Sequence, residues 1–218
     1  NKVFKQLRST HDRYADVFKK LGFTIDISNP KPITRVHLFK DVSNITGQKN
    51  KPWVGVAPFA AFPSKTYPLD LMEEVIAGLS KDFTVFLFGG KEDETILETI
   101  ISRHKNTISV AGKLGGFKNE LNLISNLNIM LSMDSGNAHF SAMQQVPTIT
   151  LWGGTHPFAG FAPFNQPTDY CLLPDLKEHP NIPCSIYGNK TCQGAEDVMR
   201  TILPKNILKK VKAVLEKN

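Results

Sequence analysis

Two hydrophobic spacings alternate along the middle of the chain. From Lys51 to Gly154, short β-branched and aromatic runs alternate with segments whose apolar residues recur every three or four positions. The short runs predict buried strands, and the others predict amphipathic helices. The predicted strands are WVGVAPF (53–59), FTVFLFGG (83–90), TISVAG (107–112), NIMLSMD (128–134) and PTITLWGG (147–154). The predicted helices are YPLDLMEEVIAGLS (67–80), EDETILETIISRH (92–104), FKNELNLISN (117–126) and SGNAHFSAMQQ (135–145).

This order predicts an α/β fold in which a parallel sheet carries helices on both faces. Ligands of such sheets bind beyond the carboxyl ends of the strands, near the point where the strand order reverses. Candidate functional residues are therefore expected in the segments that directly follow the predicted strands.

The flanking regions differ from this core. Residues 1–50 predict a helix over Thr10–Gly22 and a connecting segment with one strand-like stretch, ITRVHLF (33–39). Residues 160–194 are proline-rich and irregular, with one short strand, DYCLL (169–173), and two helices follow near 195–202 and 204–217. We therefore divide the chain into 1–50, a central α/β domain over 51–200 and an amphipathic C-terminal helix over 201–218. That last helix is expected to cap the sheet; a membrane-surface helix is the alternative.

Composition and charge narrow the function classes. Of the 218 residues, 41% are hydrophobic and 21% charged, which excludes disorder and fibrous repeats. No apolar run reaches the roughly 18–20 residues of a transmembrane helix, and no secretory leader pattern opens the sequence. The net charge of +6 favours an anionic partner, but the basic residues are too dispersed for a nucleic-acid-binding arm. Three cysteines are too few for a disulfide framework, so a reducing cytosol is expected.

The strongest local signal is MDSGNAHF (133–140), where a predicted strand runs directly into a predicted helix. Free backbone N–H groups at Ser135 and Gly136, together with the helix dipole, predict an anion site. His139 lies one turn further on and faces the same opening. The alternative is that Asp134 or Ser135 serves only as a helix cap, and that His139 is an ordinary helix residue.

Two weaker signals follow other strands. Lys65 lies in a loop before a helix and could bind a phosphate, although a solvated surface lysine is the alternative. Glu92 follows Gly89–Gly90 and could bind ribose hydroxyls, although acidic residues in a first helical turn also serve the helix dipole. The sequence has no P-loop, no GxGxxG fingerprint, no zinc-ligand spacing and no nucleophile elbow.

Together these motifs resemble glycosyltransferase family 9, the lipopolysaccharide heptosyltransferases. The resemblance rests on Asp134-Ser135-Gly136-x-x-His139 followed by VPTITLWGGTHP (146–157). Supporting matches are PFA (58–60), KTYP (65–68), GGKE (89–92), AGK (111–113), PC (183–184), TC (191–192) and VMRTILPKNILKKV (198–211). It implies the C-terminal, donor-binding domain of a GT-B fold, with a Rossmann-like parallel sheet over 51–200. Residues 1–50 would then be the end of an N-terminal domain and the interdomain connection.

The resemblance also implies roles for individual residues. Lys65, Asp134 and His139 are the expected catalytic residues, with Lys65 on the diphosphate and the other two at the sugar end. The expected donor-binding residues are Ser135 and Gly136 at the diphosphate, Glu92 at the ribose, Leu114 at the adenine, and Ala60 and Ala61. Because Phe59 stands where the family has a small residue and Ala60–Ala61 offer no hydroxyl, the donor's sugar and base stay open.

The implied reaction is inverting, metal-independent transfer of heptose from ADP-heptose to a lipopolysaccharide core acceptor. It needs no cofactor, and the nucleotide sugar is a substrate. The implied partners are this donor, the glycolipid acceptor and the chain's own N-terminal domain, which would hold the catalytic base and without which this chain would be inactive. The expected location is the cytoplasm, with peripheral contact at the inner membrane left open. A GT-B sugar-nucleotide epimerase and a non-catalytic nucleotide-binding module are the alternatives.

Overall fold

A computed structural model describes residues 3–190 and 192–217. Asn1, Lys2, Thr191 and Asn218, which belong to the segments and motifs above, lie outside the described residues. Six parallel strands form one sheet: β1 (Trp53–Ala57), β2 (Thr84–Leu87), β3 (Thr107–Ser109), β4 (Ile129–Met133), β5 (Thr148–Leu151) and β6 (Cys171–Leu172). Their order across the sheet is β3-β2-β1-β4-β5-β6. The strand order therefore reverses between β1 and β4, where a ligand crevice is expected.

Seven α-helices surround this sheet in the described part of the chain. They are α1 (Thr10–Lys20), α2 (Lys40–Thr46), α3 (Leu69–Leu79), α4 (Glu94–Ile101), α5 (Phe117–Ser125), α6 (Gly136–Met143) and α7 (Pro204–Leu215). The core has two layers, with α3, α4 and α7 on one face of the sheet and α2, α5 and α6 on the other.

Strand β1 shows how the sequence builds both layers. Val54 and Val56 point into the first layer, whereas Trp53 and Ala57 point into the second, as the two-residue period of a strand requires. Gly55 is required between them, because a Cβ there would lie 2.6 Å from Leu127 Cδ1. Because both faces are covered, the strand is apolar throughout.

The ends of the chain pack differently. Helix α7 buries Ile207, Val211 and Val214 against the sheet layer, which is the packing expected of a capping helix. Helix α1 buries none of its residues, and its apolar stripe of Tyr14, Val17, Phe18 and Leu21 is exposed. Across residues 3–190 and 192–217, no helix has the length and apolar character needed to cross a bilayer.

The prediction of a strand over 33–39 is wrong. This segment runs across α5 and α6 without regular structure, and side chains bind its backbone instead of a neighbouring strand. Asn122 Oδ1 accepts from Phe39 N at 2.8 Å, and Asn126 Nδ2 donates to Val36 O at 2.9 Å. The short helix α2, which directly follows, is absent from the sequence-based prediction.

Cysteine chemistry also differs from the expectation. Cys184 and Cys192 form a disulfide, and Cys171 is free and half-buried. The cysteine count argues against a framework of several disulfides, but it carries no information about a single bond between two nearby cysteines.

Candidate functional site

The candidate site lies at the carboxyl ends of β1 and β4, where the strand order reverses. The loop after β1 carries Lys65 at the end of a 3₁₀ turn, Pro63–Lys65. The segment after β4 carries Asp134 and leads directly into α6. Two residues 69 positions apart in sequence thereby meet, because β1 and β4 are neighbours in the sheet.

An ion pair joins these two residues. Lys65 Nζ lies 2.9 Å from Asp134 Oδ2, and the two side chains are 14% and 10% exposed. Thr155 Oγ1 also donates to Asp134 Oδ2, at 2.9 Å. With its oxygen held from two sides, Asp134 fixes the position of the ammonium group at the rim of the sheet.

The N-terminus of α6 opens next to this pair. Ser135 is the N-cap residue, but its side chain makes no capping hydrogen bond to the helix and lies 3.1 Å from Ser132 Oγ instead. Gly136 is the first helical residue, so no side chain covers the backbone at that position. The backbone N–H groups of Ser135 and Gly136, together with the helix dipole, create a positive local potential beside the Lys65 ammonium.

His139 lies one turn into α6 and faces the same opening. Burial lowers the pKa of its imidazole below the usual value, and the Asp134 carboxylate opposes part of that shift. His11 of α1 lies nearby, with ring centroids 6.5 Å apart. Burial therefore favours the neutral form of His139. A negatively charged ligand in the cleft would favour the protonated form instead.

A loop formed by residues 184–190, which we call the Tyr187 loop, closes one side of the site. Ser64 Oγ donates to Gly188 O at 2.7 Å, and Cys184 N donates to Gly154 O at 3.1 Å. Gly188 has a φ of +79°, and a Cβ there would lie 2.3 Å from Lys65 Cδ. The loop backbone therefore covers the aliphatic part of Lys65.

These elements enclose a cleft of about 280 Å³. Its lining residues are Ala61, Lys65, Asp134, Ser135, Gly136, His139, Phe161, Ile186 and Tyr187. The floor is polar and contains the Lys65–Asp134 ion pair, whereas Phe161, Ile186 and Tyr187 form apolar walls. Such a cleft suits an anionic group attached to a larger organic ligand.

A second cavity, of about 320 Å³, opens beyond β2 and β3 and is lined in part by Gly89, Leu114, Phe117 and Glu120. Phe140 of α6 contacts Phe117 of the second cavity and lies near Gly136 of the first cleft. Its ring packs against Phe117 with centroids 4.7 Å apart, and it lies 3.5 Å from the position of a Cβ on Gly136. Phe140 therefore lies between the two cavities at the carboxyl edge of the sheet.

The site residues predicted from the sequence lie in the first cleft, at the second cavity and outside both. The first cleft contains six of them: Ala61, Lys65, Asp134, Ser135, Gly136 and His139. Leu114 lines the second cavity, and Glu92 is exposed beside it with its carboxylate folded over Gly90. Ala60 lies outside both linings and packs against the core.

Several residues around the cleft have no role in the sequence-based prediction. Thr155, which follows β5, donates to Asp134. Tyr187 and Gly188 belong to the irregular region, and only the folded chain brings them to Lys65. Thr155 had a detectable signal, since it directly follows the Gly153–Gly154 pair at a strand end. Within the described residues, no three His, Cys, Asp or Glu side chains come together as a metal-binding group.

Comparison with known proteins gives a consistent match. A family profile described as glycosyltransferase family 9 (heptosyltransferase) matches residues 5–186. Lipooligosaccharide heptosyltransferase 2 of Haemophilus ducreyi is 30% identical over 129 residues, which cover 54% of this chain and 36% of that protein. This chain therefore spans about a third of the length of that relative.

Solved structures share the fold. The Escherichia coli ADP-heptose lps heptosyltransferase II superposes with a TM-score of 0.65 at 19% identity, covering 96% of this chain and 62% of that one. A glycosyl transferase family 9 protein from Veillonella parvula gives 0.73 at 18% identity, covering 100% and 63%. The expected α/β fold, a Rossmann-like parallel sheet of the GT-B kind, is confirmed.

Proposed function

Since the chain belongs to glycosyltransferase family 9, we propose that it is the donor-binding half of an enzyme that transfers heptose from ADP-heptose to a lipopolysaccharide core acceptor. The transfer is inverting and needs no metal ion. The observation that carries this proposal is the Lys65–Asp134 pair beside the uncapped N-terminus of α6. Relatives whose names include ADP-heptose or heptosyltransferase support the choice of donor.

The chemistry follows from where charge develops. Breaking the sugar–phosphate bond leaves negative charge on the diphosphate, and the α6 amides at Ser135 and Gly136 and the Lys65 ammonium stabilise that charge. These groups are held in position before the reaction, so they need little reorganisation as the bond breaks. Asp134 and His139 line the sugar end of the cleft.

The rest of the donor extends towards the second cavity. Glu92 binds the ribose hydroxyls, and the adenine lies against Leu114. The base that deprotonates the acceptor hydroxyl belongs to the N-terminal domain, so the present chain binds ADP but transfers no sugar. The location that fits this role is the cytoplasm, with peripheral contact at the inner membrane.

The test is calorimetry of the chain with ADP and with UDP. We expect ADP to bind, and Lys65→Ala to weaken binding about tenfold because a charge-assisted contact with phosphate is lost. Lys205→Ala is the matched control, since it removes the same charge at an exposed position in α7. Absence of any nucleotide binding at millimolar concentration would refute the proposal, and preference for UDP would refute the adenine assignment.

A further inference from the structure

The second cavity combines an apolar interior with a single carboxyl group. Phe88, Val110 and Leu114 form its buried surface, and Phe117, 49% exposed, forms an aromatic wall. Glu120 of α5 is the acidic residue in the lining. A flat ring with one polar edge matches this arrangement, because aromatic faces pack on apolar walls while the edge needs a hydrogen-bond partner.

The described part of the chain offers no partner that explains the position of Glu120. Within the described residues, no hydrogen bond or ion pair engages its side chain, although it is half-buried. Burial raises the pKa of this carboxyl, and no neighbouring group offsets the shift. A ligand N–H directed at the carboxylate would suit this position, because a ligand that covered this half-buried acceptor without pairing with it would leave it buried and unsatisfied.

The cavity is positioned to receive one end of a ligand held at the first cleft. Gly136 starts α6 at the anion site, and Phe140, one turn later, contacts Phe117 at the wall of the second cavity. A nucleoside diphosphate with its phosphates at Gly136 would pass over Phe140 and place its base beside Phe117.

We propose that Glu120 selects the nucleobase of the donor. Its carboxylate accepts a hydrogen bond from the exocyclic amino group of adenine, while the ring lies between Leu114 and Phe117. Hypoxanthine carries a carbonyl oxygen at the position of that amino group, so two acceptors would face each other and binding would weaken. This inference rests on the proposed function, since it assumes that a nucleotide binds across both cavities.

The experiment compares ADP with inosine diphosphate on the wild-type chain and on Glu120→Gln. We expect the wild type to prefer ADP by about tenfold, the size of one hydrogen bond to a charged group. In Glu120→Gln the ratio of the affinities for ADP and inosine diphosphate should fall close to one. The reason is that an amide can either accept from adenine or donate to hypoxanthine. Glu178→Gln, the same change at an exposed position, should keep the wild-type ratio.

A ligand series on the wild type gives a test that needs no variant. Purine riboside diphosphate lacks the amino group, and we expect it to bind about tenfold more weakly than ADP. Equal affinity for the two ligands, or an unchanged ADP preference in Glu120→Gln, would overturn the role of Glu120 and leave the proposed function standing. Failure of the wild type to bind any of the three nucleotides would overturn both the role of Glu120 and the proposed function.

Proton release distinguishes base recognition from a structural role. A hydrogen-bond donor placed against the Glu120 carboxylate lowers its raised pKa, so binding should release protons around that pKa. Calorimetry in buffers of different ionisation enthalpy measures this release. Wild type and Glu120→Gln should differ in it, and identical proton release in the two proteins would contradict the proposal.

Discussion

The position of the Lys65 side chain depends on residues that are distant from it in sequence. Its ammonium is held by Asp134, and its aliphatic part lies beneath Gly188. The residue types at a strand end predict that Lys65, Asp134 and His139 share a site, because parallel strands bring their carboxyl ends to one edge. The covering loop could not be predicted in the same way, since Gly188 lies in an irregular, proline-rich region without periodicity.

Gly188→Ala should disturb Lys65 directly. The new Cβ would lie 2.3 Å from Lys65 Cδ, and the φ of +79° disfavours any side chain, so we expect a loss of about 1–2 kcal/mol of stability and weaker ADP binding. Gly194→Ala is the matched control, because its φ is +74° but its Cβ would meet nothing within 4 Å. Urea unfolding and calorimetry check the two effects, and equal ADP affinity in both variants would contradict the contact with Lys65.

We expect His139 to make nucleotide binding depend on pH. Its pKa is lowered by burial, and an arriving diphosphate favours the charged imidazolium, so binding raises the pKa and takes up a proton. ADP affinity should therefore increase as the pH falls towards and below the ordinary histidine pKa of about 6.5 in the wild type, relative to His139→Gln. Titrations across this range measure the difference, with His37→Gln, an exposed histidine, as the control. Parallel pH profiles in wild type and His139→Gln would remove His139 from the anion site.

Among the elements, those with strong periodicity agree with their sequence-based predictions. Strand β4 and helix α6 lie within the segments predicted for them, because a buried run and a following cap signal coincide there. The stretch 33–39 has a strand-like composition, but Asn122 of α5 and Asn126, which directly follows α5, bind its backbone. Strand formation requires a neighbouring strand edge, which composition alone does not provide.

Helix α7 stabilises the domain through its buried face. Val211→Ala removes two methyl groups from a fully buried position, and we expect a loss of about 2 kcal/mol in the free energy of unfolding. Lys209→Ala, an exposed change on the same helix, should have little effect. Denaturant unfolding of both variants tests this, and similar stability losses would argue against the observed packing.

For the whole molecule, two half-buried histidines contribute to the response to acid. Burial lowers the pKa values of His11 and His139 in the folded chain, so the unfolded chain binds more protons once the pH falls through about 6.5. The free energy of unfolding should keep its full value above that pH and decrease below it. Urea unfolding at pH 8 and 5.5 measures the loss, and His11→Gln should reduce it. A wild type that is equally stable at both pH values would contradict this account.

The single helical turn from Gly136 to Phe140 in α6 has a fixed length. Four residues of α-helix advance about 6 Å, and packing on the sheet keeps that distance constant. Under the proposed function, a ligand that reaches from Gly136 to Phe117 must match this spacing as well as the chemistry at each end. Compounds with one phosphate group fewer or more would lose the contact at one end, so α6 would limit the length of the ligands that bind.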